Sequence, residues 1–290
     1  MSLCFSIPNF FTNYKTNHTF FGLIKQYPNY LKNQNIDILS SHGQFPYCYW
    51  NGGINVNSGP GAFYHDFIEC GDFSNLPLRF NCSNTVLDDI DFNNVMANLI
   101  LEHNGSGSNE IEVCNLKLFN YIKENYPMYS KFIFSKNGDL INPMTPEIVN
   151  SLIESDNFAL IELPTRYNGN FEELKKISKR SHIEIVVNPL CEIKCPNFEN
   201  CRLLENSNQY NYSGSSVYCE CSKRKSYDLN PNIITLEEIE EKYVPLGITH
   251  FKIEDFPRNE PMLNYYNFLV NYFIKPEYQK QVLALLVSGE

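Results

Sequence analysis

Short apolar runs alternate with amphipathic stretches along the chain, at a spacing of about 25 to 35 residues that is typical of repeated β–α units. Each run is short and rich in β-branched or aromatic residues, which favours a buried strand over a helix. Eight runs fit this description: Leu3–Ile7, Ile36–Ser40, Leu78–Cys82, Glu110–Cys114, Lys131–Ser135, Phe158–Leu163, His182–Val187 and His250–Glu254.

The stretches between these runs have helical spacing. Thr145 and Pro146 predict a helix start, as N-cap and first helical residue, and Thr235 with Glu238 forms a capping-box spacing. In the helix predicted over Asp91–Glu102, the expected apolar face consists of Phe92, Val95, Met96, Leu99 and Ile100. The other predicted helices are Thr19–Tyr27, Leu116–Asn125, Asn170–Lys179 and Met262–Val287, the last interrupted near Pro276.

Strands that alternate with helices pair in parallel, because each helix returns the chain to the same end of the sheet. About eight such units predict an α/β fold of the (β/α)8 TIM-barrel type, as a single domain over residues 1–290. Residues 42–72 show neither a strand nor a helix pattern, and we interpret them as an irregular insertion. An open doubly wound sheet is the alternative, but no Gly-rich dinucleotide fingerprint follows an early strand.

Composition and charge narrow the class of protein. The formal net charge is −10, which argues against avid binding of duplex DNA, where neutralisation of phosphates by Lys and Arg dominates. No run of about 18 apolar residues exists, so no membrane span is expected. The first residues lack a basic segment followed by an apolar core, so we expect a cytoplasmic protein whose ten cysteines are thiols or metal ligands.

Five of those cysteines are clustered within the polar loop 188–232, directly after the seventh predicted strand. Thiolates are soft anionic ligands that suit zinc and iron–sulfur clusters, and a cluster needs about four of them. Paired Cys-x-x-Cys knuckles typical of zinc ribbons are absent. The candidate ligands are Cys191, Cys195 and Cys201, together with Cys219 or Cys221.

The segment Val187–Pro196, followed by Gly247–Glu254, resembles the collagenase-like peptidase family of unassigned catalytic type. In that family a strand ending in Val-Asn enters a cysteine-rich loop, and the next strand reads roughly Gly-Ile-x-x-Phe-Lys-Ile-Glu. The resemblance covers about residues 77–258 and implies a TIM-type barrel. Several members carry a 4Fe–4S cluster on four cysteines and support hydroxylation of ubiquinone precursors, tRNA or ribosomal RNA. The resemblance therefore implies a cluster on the loop cysteines, with zinc as the alternative.

Three further residues are candidates for catalysis because barrel enzymes use the carboxyl ends of their strands. His42 follows the second strand and suits an acid or base role, and Arg166 follows the sixth strand and suits an anionic substrate. Glu254 and Lys252 alternate to the same face of the last strand, where they would form a buried pair.

The sequence thus predicts an iron–sulfur barrel enzyme that performs a hydroxylation or related redox modification on a small cyclic metabolite or an RNA base. An electron-transfer or accessory protein is the expected partner. A second hypothesis is a metal-stabilised binding protein without catalysis. The third is a peptidase, for which no Gly-x-Ser-x-Gly elbow or zinc-protease helix is visible.

Overall fold

Eight parallel strands close into a barrel, as the sequence predicts. The computed structural model describes residues 2–8, 10, 14–44, 48–52, 76–189, 200, 206, 232–254 and 262–288. Each strand pairs in parallel with the next in chain order, and β1 closes the barrel by pairing with β8, with Cys4 opposite His250. The strands are β1 (Leu3–Pro8), β2 (Ile36–Gly43), β3 (Leu78–Cys82), β4 (Glu110–Val113), β5 (Lys131–Phe134), β6 (Leu160–Glu162), β7 (Ile183–Val186) and β8 (His250–Lys252).

Helices connect the strands and cover the barrel wall. They are α1 (Tyr14–Gln26), α2 (Val95–His103), α3 (Leu116–Asn125), α4 (Pro146–Glu154), α5 (Phe171–Lys175), α6 (Leu236–Glu238), α7 (Met262–Phe273) and α8 (Pro276–Ser288). Shorter turns of 3₁₀ helix follow several strands, among them Lys136–Leu140 after β5 and Thr165–Tyr167 after β6.

Local capping signals fix where several helices begin. Thr145 accepts a hydrogen bond from the backbone of Ile148 at the start of α4, and Asn115 accepts from Lys117 and Leu118 at the start of α3. Thr235 and Glu238 form the predicted capping box. Because these signals are local, the sequence identifies the same helix starts.

The predicted apolar face of α2 is partly wrong. Val95 and Leu99 are 68% and 52% exposed, whereas Ala97, Ile100 and Leu101 are buried. Upstream, Asp89–Asn93 forms a separate 3₁₀ helix and Asn94 caps α2. Phe92, Met96 and Ile100 still face the core, so Ala97 and Leu101 complete the buried face in place of Val95 and Leu99.

Two layers of side chains surround the strands. Residues such as Ile111, Val113, Ile161 and Phe251 are fully buried in a core of apolar residues shared with the helices. The residues that alternate with them form the barrel interior, which is polar. Across the described ranges, no helix has both the length and the hydropathy needed to span a bilayer.

Candidate active site

Among the residues that the structure describes, eight charged side chains lie in the barrel interior, three of them basic and five acidic, where most barrels stack aliphatic residues. Ion pairs between strands on opposite sides of the barrel show that these side chains meet along its axis. The basic residues are Arg79, Lys136 and Lys252, and the acidic ones are Glu110, Glu112, Glu162, Glu184 and Glu254.

Arg79 anchors the end of the interior nearer the strand starts. Its Nε donates to Glu110 at 2.8 Å, on the neighbouring strand β4, and its Nη1 donates to Glu184 at 2.6 Å, across the barrel on β7. All three side chains are less than 10% exposed. A second contact to Glu184 comes from the Ser6 hydroxyl on β1, at 3.3 Å. This group therefore ties four strands together with charge-assisted hydrogen bonds.

Lys252 occupies the middle of the interior. Its Nζ lies 2.7 Å from Glu112 on β4 and 3.2 Å from Glu162 on β6. Burial lowers the pKa of Lys252, but the charges of Glu112 and Glu162 outweigh it, so the pKa lies above its usual value. Lys252 is therefore a fixed cation rather than a titrating base.

Lys136 and Glu254 form an ion pair at the carboxyl-terminal mouth of the barrel. Lys136 follows β5 and Glu254 follows β8, and both are less than 10% exposed. The backbone of Glu254 is held by Asn188, whose Oδ1 accepts from the Glu254 N–H at 2.7 Å and whose Nδ2 donates to the Glu254 carbonyl at 3.2 Å. The pair thus lies on a rigid frame at the end of the barrel where barrel enzymes carry their chemistry.

His42 lies near the carboxyl end of β2 and contacts the backbone of Ile253, the residue before Glu254. Its Nε2 donates to the backbone carbonyl of Ile253 at 2.7 Å, because a carbonyl can only accept. Burial, reinforced by the positive charges of Lys252 and Arg79, lowers the pKa of His42 well below its usual value. The ring is therefore neutral near pH 7 and carries its proton on Nε2.

A short segment of the insertion after β2 packs against the mouth. Asn137 Nδ2 donates to the Gly52 carbonyl at 2.7 Å, and the Asn84 amide donates to the Tyr49 carbonyl at 2.6 Å. A Cβ at Gly52 would overlap the backbone and hydroxyl of Ser83, so this approach requires glycine. Trp50 in the same segment is fully buried, and its Nε1 donates to the Asp91 carbonyl at 2.8 Å.

Arg166 lies apart from His42 and Glu254. Its guanidinium is paired with Asp139 and donates to the Met144 carbonyl at 2.9 Å, and its side chain is 42% exposed. It lines a cleft of about 400 Å³ whose walls come from α4, α5 and the turns that precede them, including Glu147 and Lys176. An anion-binding role for Arg166 stays a prediction, and it would belong to this cleft.

The predicted metal ligands Cys191, Cys195, Cys201, Cys219 and Cys221 lie outside the described residues. Of the described cysteines, Cys48, Cys82 and Cys114 are buried and free. Burial raises the pKa of Cys48 to about 12 and also raises the pKa of the Cys114 thiol. These thiols are protonated near neutral pH, so they are packing residues rather than nucleophiles. No group of three or more potential metal ligands occurs within the described ranges.

Most of the ion pairs between strands inside the barrel were not predicted from the sequence. The sequence pattern places Lys252 and Glu254 on one face correctly, but they do not pair with each other: Lys252 contacts Glu112 and Glu162, and Glu254 contacts Lys136. Side chains two positions apart on one strand point in the same direction and lie side by side. Side chains from opposite strands point toward each other across the barrel axis, so they can form ion pairs. One sequence feature could have indicated a polar interior. In β4, Glu110 and Glu112 alternate with apolar residues, although both faces of a strand in a parallel barrel are buried.

Comparison with known proteins supports the fold. A solved structure, that of the U32 peptidase Mk0906, superposes with a TM-score of 0.52 over 89% of this chain and 94% of that chain, at 14% sequence identity. No family model and no curated protein matches the chain. The shared architecture is a closed α/β barrel of parallel strands alternating with helices.

Proposed function

We propose that this protein is an enzyme of the U32 peptidase type that cleaves amide bonds at the carboxyl-terminal mouth of the barrel. The observation that carries the proposal is the buried Lys136–Glu254 pair at that mouth. Burying charges has a large desolvation cost, and apolar residues of similar size usually give an equal or more stable core. Ionisable groups retained at this end of a barrel therefore favour a chemical role.

The pair has the two properties that amide hydrolysis needs. Glu254 acts as the general base that takes a proton from the attacking water, and Lys136 stabilises the negative charge that develops on the carbonyl oxygen. His42 holds the backbone of Ile253, next to Glu254, through its Nε2–H. The U32 peptidase with a similar fold supplies the reaction class, and the pair supplies the residues that would perform it.

Incubation with a complex peptide mixture, followed by mass spectrometry, tests this proposal. The protein should generate new peptide termini, and Lys136→Met should abolish them. Lys131→Met is the matched control, because Lys131 is exposed at the opposite end of the same strand, β5. Peptide products that persist unchanged in Lys136→Met would place the chemistry elsewhere.

A second candidate function is the iron–sulfur modification of a small cyclic metabolite or an RNA base. The observation that favours it is the position of Asn188 and Pro189, which follow β7. Asn188 binds the backbone of Glu254 at the mouth, and Pro189 lies two residues before Cys191. Five thiolates in this loop are a donor set that fits a 4Fe–4S cluster, with zinc as the alternative. Cys191, Cys195, Cys201 and either Cys219 or Cys221 would hold it, and it would supply single-electron transfer from a partner protein.

Anaerobic purification with iron and sulfide analysis separates the two candidates. The redox candidate requires about four irons per chain and a broad visible absorption, both lost in Cys191→Ser. Cys4→Ser is the control, because Cys4 lies on β1 within the described barrel. Colourless protein that holds zinc, or no metal, would contradict the redox candidate and leave the amide-hydrolysis proposal standing.

A further inference from the structure

The charges inside the barrel do not balance among the described residues. Five glutamates face three cations, and Arg79 is already shared between Glu110 and Glu184. Lys252 lies between Glu112 and Glu162, and Lys136 lies between Glu162 and Glu254. An uncompensated carboxylate in a buried site takes up a proton rather than remain charged. Glu112 and Glu162, two neighbouring buried carboxyls that share Lys252, therefore favour a state in which one of them is protonated.

Ser135 identifies which carboxyls are involved. Its Oγ lies 2.8 Å from Oε1 of Glu112 and 3.3 Å from Oε2 of Glu162. A hydroxyl has one hydrogen, so it cannot donate fully to both carboxylates. Both contacts become hydrogen bonds if one carboxyl is protonated and donates to Ser135, which in turn donates to the other.

The remaining contacts decide which oxygen holds the proton. Oε2 of Glu112 accepts from Lys252 at 2.7 Å, which leaves Oε1 to carry the hydrogen toward Ser135. Oε2 of Glu162 accepts from Lys252, at 3.2 Å, and from the backbone N–H of Lys136, at 3.4 Å. Glu162 thus has the donors expected around an ionised carboxylate, and Glu112 has fewer.

We propose that Glu112 and Glu162 share one proton, carried on Oε1 of Glu112, and that Ser135 and Glu162 relay it to Lys136 at the mouth. Lys136, which stabilises the oxyanion, gives a proton to the departing amine and becomes neutral. The proton on Glu112 then passes through the Ser135 hydroxyl to Glu162 and from Glu162 to Lys136. Glu112 ends as a carboxylate, Glu162 returns to its ionised state, and Lys136 is again an ammonium. The Nζ of Lys136 lies 3.3 Å from Oε1 of Glu162, so a small movement of the Lys136 side chain completes the path.

The electrostatic surroundings agree with this assignment. Burial raises the pKa of Glu112, and the charge of Glu162 adds to it, against the opposing charges of Lys252 and Arg79. Burial also acts to raise the pKa of Glu162, but Lys252 and Lys136 outweigh it and hold that pKa well below its usual range. The groups that face Glu112 from the surrounding elements are Lys252, Glu162, Arg79, Ser135, Cys82 and Cys114.

Infrared spectroscopy of the whole chain at neutral pH tests the shared proton without any substrate. The C=O stretch of a protonated carboxyl is separate from the carboxylate bands, and exposed acids are ionised at this pH. The wild type should show such a band, and Glu112→Gln should lose it, because the amide replaces the neutral acid. Glu184→Gln, which removes a carboxylate paired with Arg79, should keep the band.

Ser135→Ala provides a second measurement that does not depend on the folding of Glu112→Gln. It should keep the band but shift its frequency, because the acid loses its acceptor. Ser40→Ala is the matched control, since the Ser40 hydroxyl is buried in the strand β2 and has no hydrogen-bond partner in the described structure. A wild type without the band, or a band unaffected by both Glu112→Gln and Ser135→Ala, would overturn the shared proton.

The relay rests on the proposed function, and activity measurements test it separately. Ser135→Ala should lower kcat for amide cleavage by about 10²-fold, the usual contribution of acid–base catalysis, with little change in KM. An unchanged kcat beside a shifted infrared band would overturn the relay but keep the shared proton. Absence of any amide cleavage in the wild type would instead overturn the proposed function.

Discussion

Replacement of Arg79 by Met tests whether the interior charges hold the barrel together. Arg79 is 1% exposed and makes two charge-assisted hydrogen bonds, at 2.8 Å to Glu110 and 2.6 Å to Glu184. The substitution keeps the apolar stem but leaves two buried carboxylates without their cation. Breaking a buried ion pair in this way costs about 3 to 5 kcal/mol. That is a large fraction of the 5 to 15 kcal/mol that typically stabilises a folded protein.

Urea unfolding followed by far-ultraviolet circular dichroism measures the loss of free energy of unfolding. Thermal unfolding of the same proteins gives Tm. Each kcal/mol changes Tm by roughly 2 to 4 °C in chains of about 150 to 250 residues, so Tm should fall by on the order of 10 °C. The single tryptophan, Trp50, reports on the mouth of the barrel by fluorescence in the same samples.

Arg166→Met is the matched control, because it removes an arginine–carboxylate pair that is partly exposed. Surface pairs contribute about 0 to 1 kcal/mol, so this variant should unfold close to the wild type. A triple variant, Arg79→Met with Glu110→Leu and Glu184→Leu, should recover most of the lost stability, since apolar residues can replace a buried ion group. If Arg79→Met were no more costly than Arg166→Met, the interior charges would not be structural.

Two further predictions concern the mouth of the barrel. Because burial, Lys252 and Arg79 lower the folded pKa of His42 below its usual value of 6.5, the unfolded chain takes up a proton there that the folded chain does not. The free energy of unfolding should therefore fall as the pH drops below about 6.5, by at most about 1.4 kcal/mol per pH unit. Urea titrations at several pH values should show that His42→Gln removes this dependence. Parallel curves of stability against pH for the two proteins would refute the assignment to His42. Gly52→Ala should lose about 1 to 3 kcal/mol and red-shift the Trp50 emission, because its Cβ overlaps Ser83. Gly22→Ala, in α1 with nothing within 4 Å of the added Cβ, should instead gain about 0.5 to 1 kcal/mol, and similar effects at the two glycines would contradict the close packing at Gly52.

The fold could be predicted from the sequence because its signals are local. The strand Leu78–Cys82 and the helix Leu116–Asn125 were predicted with the bounds that the structure has, and the start of the helix Pro146–Glu154 was predicted from its N-cap. Eight alternating units then left few topologies open, and closure through β1 and β8 follows from parallel pairing in chain order. The exposed Val95 shows the limit, because Ala97 and Leu101, rather than the more apolar Val95 and Leu99, complete the buried face of α2.

The candidate site was only partly predictable, because its contacts join strands that are distant in the chain. His42 and Glu254 were predicted from their positions near strand ends, and the structure places both near the carboxyl ends of β2 and β8. Their catalytic roles stay predictions. Lys136 was missed because it follows a strand that ends in Ser135, where a helix cap was the simpler interpretation. The partners of Glu112 depend on the stagger of the closed barrel, which brings Lys252 from 140 positions away to within 2.7 Å. No local pattern encodes such a distance.

The central claim is that the mouth of the barrel performs acid–base chemistry through Glu254. Its most direct test is kcat/KM for the best peptide substrate in the wild type, Glu254→Gln and Glu154→Gln, the last being an exposed glutamate on α4. Loss of the general base should lower kcat/KM by about 10² to 10⁴-fold in Glu254→Gln, with Glu154→Gln unchanged. Equal kcat/KM in all three proteins would contradict the claim.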